Sequence, residues 1–354
     1  MNLQKAISLL EASEADGLLL CNEANMHYIC SFSPSEGMIL ITKDCGYHLV
    51  DSRYTETAKK HAEKTGLIVE EISHSFTDAL KTKIEKHGIK KLLFENETIS
   101  YKLYRRLCDE LDVELVELGD GISRLRNVKE FWEIDKMKKA NAIAEKSFLQ
   151  LLENIKPGRT EKDIAAEFDY LMAKNGSDGV SFDTIVLTGA HSSMPHGVPD
   201  NREVKNGDFL LFDFGATFEG YHSDMTRTVA VGSATQEMKY CYNLVLEAQL
   251  AGIKALEAGK KCSEVYQAAY DVLEKQKMGK YFRHSLGHGV GLEIHEGYNA
   301  SPRSKDTFEV GNVTSIEPGI YLPDKFGIRI EDLLYLAPRG RENLSNVTKE
   351  LIIL

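Results

Sequence analysis

The sequence predicts an α+β protein of two domains, an α/β layer over residues 1–125 and a second domain over 126–354. Three observations predict it. The first part alternates helical and strand patterns, the pattern of an α/β layer with a mixed or parallel sheet. A basic stretch from Ser123 to Lys129 then reads as a junction. The remainder reads as two loosely similar parts, each a pair of helices followed by strands that carry acids. A length of 354 residues agrees with two domains.

Taken in order, a first helix (about 3–13) leads to an apolar run, Gly17 to Leu20. Strand-like MILIT (38–42) and YHLVD (47–51) follow, then a helix from Tyr54, LIVEEI (67–72), a helix through Ile84, KKLLFE (90–95), another helix and VELVEL (113–118). His27, His48, His61, His74 and His87 are scattered through this part without ligand spacing and read as structural or solvated. Beyond the junction, EFWEIDKMKKANAIAEKSFLQLLENI repeats apolar residues every three or four positions, a long helix stopped by Pro157-Gly158. Thr160 opens a second helix with a capping signature, T-E-K-D, that ends near Asn175-Gly176. Strand signals lie near 180–188, then the loop HSSMPHGVPD. Helices over about 236–258 and 263–276 precede a strand-rich tail from Tyr281.

Composition excludes several classes. The hydrophobic share of 42% and charged share of 27% suit a globular protein with a sizeable core. The formal net charge of -11 argues against nucleic acid or an anionic membrane as partner. No segment reaches the roughly 18 continuous apolar residues of a membrane span, and the N-terminus lacks the pattern of a secretory signal. Cys21, Cys30, Cys45, Cys108, Cys241 and Cys262 show no CxxC pair and read as reduced thiols of a cytoplasmic protein.

The stretch DFLLFDFGATFEGYHSDMTRTVAV (208–231) carries the strongest chemical signal. It reads as two strands joined at Glu219-Gly220. That turn sets Asp213 opposite Thr226, with Asp224 as the diagonal neighbour on the same face, roughly 7–8 Å away at Cα. Two bare aspartates on an apolar ribbon repel and desolvate each other unless a cation compensates. The alternative, a hairpin whose aspartates face water, loses weight as further acids accumulate. His288 sits in HSLGHGVGLEIHE (284–296) among Gly287, Gly289 and Gly291, which are expected to let a ligand and substrate approach the backbone. Glu317 lies in TSIEPGIY and Glu331 in GIRIEDLLYL, both in apolar strand patterns where an unpaired carboxylate is costly.

Four carboxylates and one imidazole suit two divalent ions. The thiolate-free, oxygen-rich set favours manganese, with zinc or cobalt as alternatives. Two ions about 3.5–4 Å apart can hold a bridging hydroxide and polarise a carbonyl, which is hydrolytic chemistry. There is no GxSxG elbow, no HExxH helix and no GxGxxG in a strand–helix context. His196, His284 and His295 can assist a developing oxyanion or orient a substrate carboxylate. Arg329 shares a strand face with Glu331 and can steady it or pair with a substrate carboxylate. His222 reads as structural, and His191 is a loop residue without a stated role.

The motifs DFGATFEGYHSDMTRT, HSLGHGVGLEIHE, SIEPGIY and GIRIEDLL resemble, in order and spacing, those of the pita-bread metallopeptidases, within them the proline-specific branch of aminopeptidase P and prolidase. The resemblance implies a creatinase-like α/β N-terminal domain, carrying DSRYTETA (51–58), ahead of a pita-bread catalytic domain. It implies Asp213, Asp224, His288, Glu317 and Glu331 as ligands of two metal ions, with Glu317 also shuttling protons. His196, His284, His295 and Arg329 would line the substrate site. The expected activity is hydrolysis of the bond between an N-terminal residue and proline, aminopeptidase P-like, with Xaa-Pro dipeptidase as the alternative and a non-catalytic peptide-binding relative as a third reading. A homodimer is expected, its first domain narrowing the cleft mouth. Methionine aminopeptidase shares the ligands without such a first domain, and creatinase shares the fold without the full metal set.

Overall fold

A computed structural model describes residues 2–354. The chain divides into two compact units, Met1–Arg126 and Asn127–Leu354.

In the first unit a six-stranded mixed sheet runs, edge to edge, Ile68–Glu71, Gly46–Val50, Gly37–Thr42, Gly17–Leu20, Lys91–Phe94 and Glu114–Glu117. The three central strands are antiparallel and the flanking pairs parallel. Gly17–Leu20 is buried at every residue, as a strand covered on both faces should be. Leu19, Leu40, Leu49 and Leu92 form the core with Leu80, Ile84 and Leu107 of two covering helices. The helix Glu23–Cys30 escapes periodicity because five of its eight residues, Asn25, Met26, Tyr28, Ile29 and Cys30, are buried. A helix that is covered nearly all round shows no polar stripe. The helix Gly121–Asn127 occupies most of the stretch read as a junction. His61 stacks on Phe32 and His87 meets the Tyr47 hydroxyl.

The second unit contains two helix pairs, each with its own apolar core. Phe131–Leu152 and Glu161–Lys174 cover the sheet of Ile185–Thr188, Phe209–Phe214 and Met225–Ala230 through Phe148, Phe168, Leu210, Phe212 and Phe214. Thr160 caps the second of these helices, its hydroxyl accepting from the Asp163 amide. Gln236–Ala255 and Cys262–Lys275 cover strands that include Val313–Ile316 and Asp332–Ala337.

The hairpin register is the expected one. Phe218 faces Tyr221, and Asp213 faces Thr226. Glu219 and Gly220 both have positive φ, 47° and 81°, the geometry of a two-residue turn matched to strand twist. The parity also holds: Leu210, Phe212 and Phe214 enter the core, which leaves Asp213 on the opposite face.

The three glycines around His288 serve a different purpose from the expected one. A Cβ at Gly287 would collide with the Ser315 carbonyl, one at Gly289 with the Glu296 carbonyl and one at Gly291 with the Glu296 carboxylate. They let strands of the protein itself close on each other rather than admit a ligand. Gly287→Ala is therefore expected to cost about 1–3 kcal/mol by overpacking against backbone, seen as a lower midpoint in thermal unfolding. An unchanged midpoint would contradict the close approach.

Candidate metal centre

Asp213, Asp224, His288, Glu317 and Glu331 all line one cavity of about 590 Å³ in the second unit, together with His196, His284, His295 and Arg329. The hairpin supplies the two aspartates. Asp224 follows the turn strand Tyr221–His222 and Asp213 lies near the end of Phe209–Phe214. Gly287–Gly289 supplies His288. Glu317 and Glu331 each stand just past a strand end, after Val313–Ile316 and Phe326–Arg329. Arg227 holds the last of these against the hairpin. Its buried guanidinium donates to the Glu331 carbonyl and to Asp332 Oδ1 at 2.8 Å.

The ligand-type atoms of Asp224, His288 and Glu331 lie within 4.8 Å of one another. His288 Nε2 stands 3.4 Å from both Asp224 Oδ2 and Glu317 Oε1. Its Nδ1 donates to the Gly289 carbonyl at 3.1 Å, which leaves the Nε2 lone pair facing the acids. Asp224 and Glu331 are 4% and 1% exposed. Two buried carboxylate oxygens, Asp213 Oδ1 and Glu331 Oε1, have no hydrogen-bond partner in the protein. An orphaned anionic oxygen in the interior is expensive, and a divalent cation is the partner that such an oxygen-rich, thiolate-free set suits.

The protonation behaviour follows from the crowding. Burial pushes Asp224 well above the ordinary carboxylate range, and the charges of Asp213 and Glu317 push it further. Burial does the same to Glu331, reinforced by Asp224, Glu317 and Asp213. Glu317 is raised to about 8 by burial, against the opposing pull of Arg329. Burial lowers His288 to about 4, with His295 adding to the effect.

Arg329 turns to Asp213 rather than to Glu331. Its Nη2 meets Asp213 Oδ2 at 2.6 Å, while Glu331 Oε2 accepts instead from the Thr226 hydroxyl at 2.7 Å. The Thr226 hydroxyl also accepts from Arg329 Nε at 3.0 Å, and Thr226 is the register partner of Asp213. Arg329 Nη1 also donates to the Tyr321 hydroxyl at 2.7 Å, and that hydroxyl donates to His284 Nε2 at 2.9 Å. His284 Nδ1 donates in turn to the Ser285 carbonyl. Both nitrogens of His284 are thus engaged, and burial lowers it to about 3. Tyr321 and Ser315, whose hydroxyl donates to Glu317 Oε1 at 3.2 Å, and the bond from Thr226 to Glu331 were not legible in the sequence, since neutral hydroxyls in apolar strands look like ordinary strand residues. His196 and His295 are exposed at the cavity, the latter edge-on to His288. His222 lies outside the cavity lining. His191 is buried against Glu161.

Comparison with known proteins bears on this geometry. The model of metallopeptidase family M24 matches residues 135–338, and that of the creatinase/prolidase N-terminal domain matches residues 2–128. A Xaa-Pro dipeptidase of Pyrococcus horikoshii is 35% identical over 354 residues, 99% of this chain and 98% of that protein. A solved Xaa-Pro dipeptidase from Bacillus anthracis is 37% identical with a TM-score of 0.96, covering 100% of both chains. A solved X-Pro aminopeptidase from Thermotoga maritima is also 37% identical, with a TM-score of 0.93 over 98% of this chain and 100% of that one.

The raised carboxylates give a pH signature. In chelated protein the folded state keeps the proton on Glu317 up to about pH 8, whereas the unfolded chain releases it near the ordinary 4.5; Asp224 and Glu331 are raised in the same direction. Stability of the chelated protein should therefore fall as pH rises from 6.5 towards 8. His288 contributes the opposite slope, but only below its ordinary 6.5. Cation-loaded protein should lose most of the fall, because bound charge stabilises the ionised acids. Melting midpoints measured across that window with and without chelator check this, and parallel curves would contradict it.

Proposed function

The chain belongs to metallopeptidase family M24, and on that premise we propose that it hydrolyses the bond between an N-terminal residue and proline with two divalent ions, manganese first among them. The observation that carries the reading is the pair of orphaned buried oxygens, Asp213 Oδ1 and Glu331 Oε1, in a site where four carboxylates face a single guanidinium. Asp213, Asp224, His288, Glu317 and Glu331 would hold the ions. When bound, these supply Lewis acidity and a water acidic enough to ionise near neutral pH.

The other steps belong to the chain. Glu317 takes and returns a proton at its carboxylate, beside the Ser315 hydroxyl that donates to its Oε1. Arg329 fixes Asp213 through one nitrogen and the Tyr321 hydroxyl through another, so the ligand cannot swing away. His196 and His295, with rings open to the cavity, donate to the carbonyl oxygen as it gains charge or hold the substrate carboxylate. Phe182, Ile185, Pro195 and Ile294 line the cavity and offer the proline ring an apolar wall.

Between the two forms of the reaction, the dipeptidase has the support of two of the three relatives described above and the aminopeptidase, the form the sequence motifs first suggested, that of one. The proposal extends to a cytoplasmic homodimer. The first part rests on the six unpaired cysteines and the second on the family resemblance alone; sedimentation of the purified protein tests the dimer.

Manganese-loaded protein should release proline from Xaa-Pro faster than it cleaves Xaa-Pro-Yaa, and chelation should stop both. Failure to cleave either above a metal-free control sinks the proposal. Glu317→Gln should lower kcat by about 10²–10⁴, with bound metal measured alongside to separate ligation from proton transfer. Asp224→Asn should lower metal content and activity together; full activity in that variant would remove Asp224 from the metal ligands.

A further inference from the structure

A second cluster of ligand-type atoms, Glu161, His191 and Asp200, lies in the same unit. Its hydrogen bonds describe a clamp rather than a cation site. Glu161 is wholly buried. Its Oε1 accepts from the Thr188 amide at 2.7 Å and from His191 Nδ1 at 2.9 Å; its Oε2 accepts from the Asp200 amide at 3.0 Å and again from His191 Nδ1 at 2.9 Å. Each oxygen is already satisfied. The Asp200 carboxylate turns to Arg202 instead.

These donors are not placed at random along the chain. Thr188 and Asp200 bracket the loop that carries His196, and His191 lies within it. A carboxylate accepts from Nδ1 only if that nitrogen bears the proton, and the ring presents Nε2 on its other edge. That edge packs against Gly197, where an added Cβ would stand 3.3 Å from Nε2 and 2.9 Å from the Leu187 methyls. Gly197 is the residue after His196. The base of the clamp is firm: the amides of Glu161 and Lys162 donate to the carbonyls of Arg202 and Asp200. On the other side, the Gly327 amide donates to the Ser192 hydroxyl at 2.8 Å, on the strand that ends at Arg329.

We infer that Glu161 is a positioning residue that gathers both ends and the interior of the 189–200 loop on one buried carboxylate and so holds His196 over the cavity. The inference rests on the proposed peptidase reading for its kinetic arm and on the loop geometry alone for its structural arm. A neutral amide at this position cannot accept on both sides, so one pair of donors loses its partner.

The test uses full-length, manganese-loaded Glu161→Gln. Hydrogen exchange of peptides spanning 188–200 should quicken by about tenfold or more, while the hairpin 209–230 stays as in the parent. Metal content should be unchanged. kcat/KM for Xaa-Pro should fall by about tenfold or more, and that fall should shrink to less than about twofold when His196→Ala is already present, since coupled residues are not additive. A merely structural loss would be the same in both backgrounds. Unchanged exchange overturns the clamp, and an equal loss in both backgrounds overturns its action through His196. Should Glu161→Gln unfold, His191→Asn runs the same cycle, keeping a donor for Glu161 but withdrawing the ring from Gly197. If the parent protein cleaves no Xaa-Pro substrate, the peptidase reading fails and exchange alone decides the clamp.

Discussion

The structure is governed by the mutual repulsion of Asp213, Asp224, Glu317 and Glu331. Burial and each other's charge hold Asp224, Glu317 and Glu331 above their ordinary range, and Arg329 is the one permanent cation among the cavity-lining side chains. Every other feature of the site makes sense as a way of keeping these groups close in spite of that cost. Arg329 and Thr226 take one oxygen each from Asp213 and Glu331, and the opposite oxygens stay free of protein donors. The protein thus supplies half of each acid's partners and leaves the other half for a ligand of opposite charge. Family M24 membership identifies that ligand as divalent metal ions.

Packing and chemistry are segregated by strand parity. On Phe209–Phe214 the even positions enter the core with helices Phe131–Leu152 and Glu161–Lys174, and the odd Asp213 faces the cavity. Across the hairpin, Thr226 and Thr228 reach Glu331 and the Arg329 carbonyl. Arg227, one residue out of phase, is buried against Asp332. A slip of one residue in that register would exchange acids for phenylalanines. The two-residue turn at Glu219-Gly220 and the Arg227–Asp332 pair both act against such a slip.

Much of this was legible in the sequence because each signal was local. The two-residue turn fixed the register of Asp213 with Thr226, and acids in apolar strands stood out through their desolvation cost. What was hidden depended on residues distant in the chain. Tyr321 gains its place only from Arg329 and His284, and nothing in SIEPGIY marks its hydroxyl as different from any strand tyrosine. The glycines at 287, 289 and 291 were read as room for a ligand, although their neighbours, Ser315 and Glu296, belong to adjoining strands whose pairing no short window reveals. Arg329 was placed beside Glu331 by sequence distance, whereas its partner Asp213 lies 116 residues away. The helix Glu23–Cys30 lacked the polar stripe on which periodicity relies.

The Thr226–Glu331 hydrogen bond spans 105 residues, and that separation has a consequence for biogenesis. While the ribosome is still adding the intervening chain, the hairpin has emerged without its opposing glutamates, and the first unit has all its own partners already. Domains fold as units from the N-terminal side during synthesis. The aspartates must therefore wait for their partner until the chain through Glu331 has been made. Ion capture follows the synthesis of Glu331, and a nascent polypeptide stalled before that residue would carry a folded N-terminal module with a hydrolytic half unable to load.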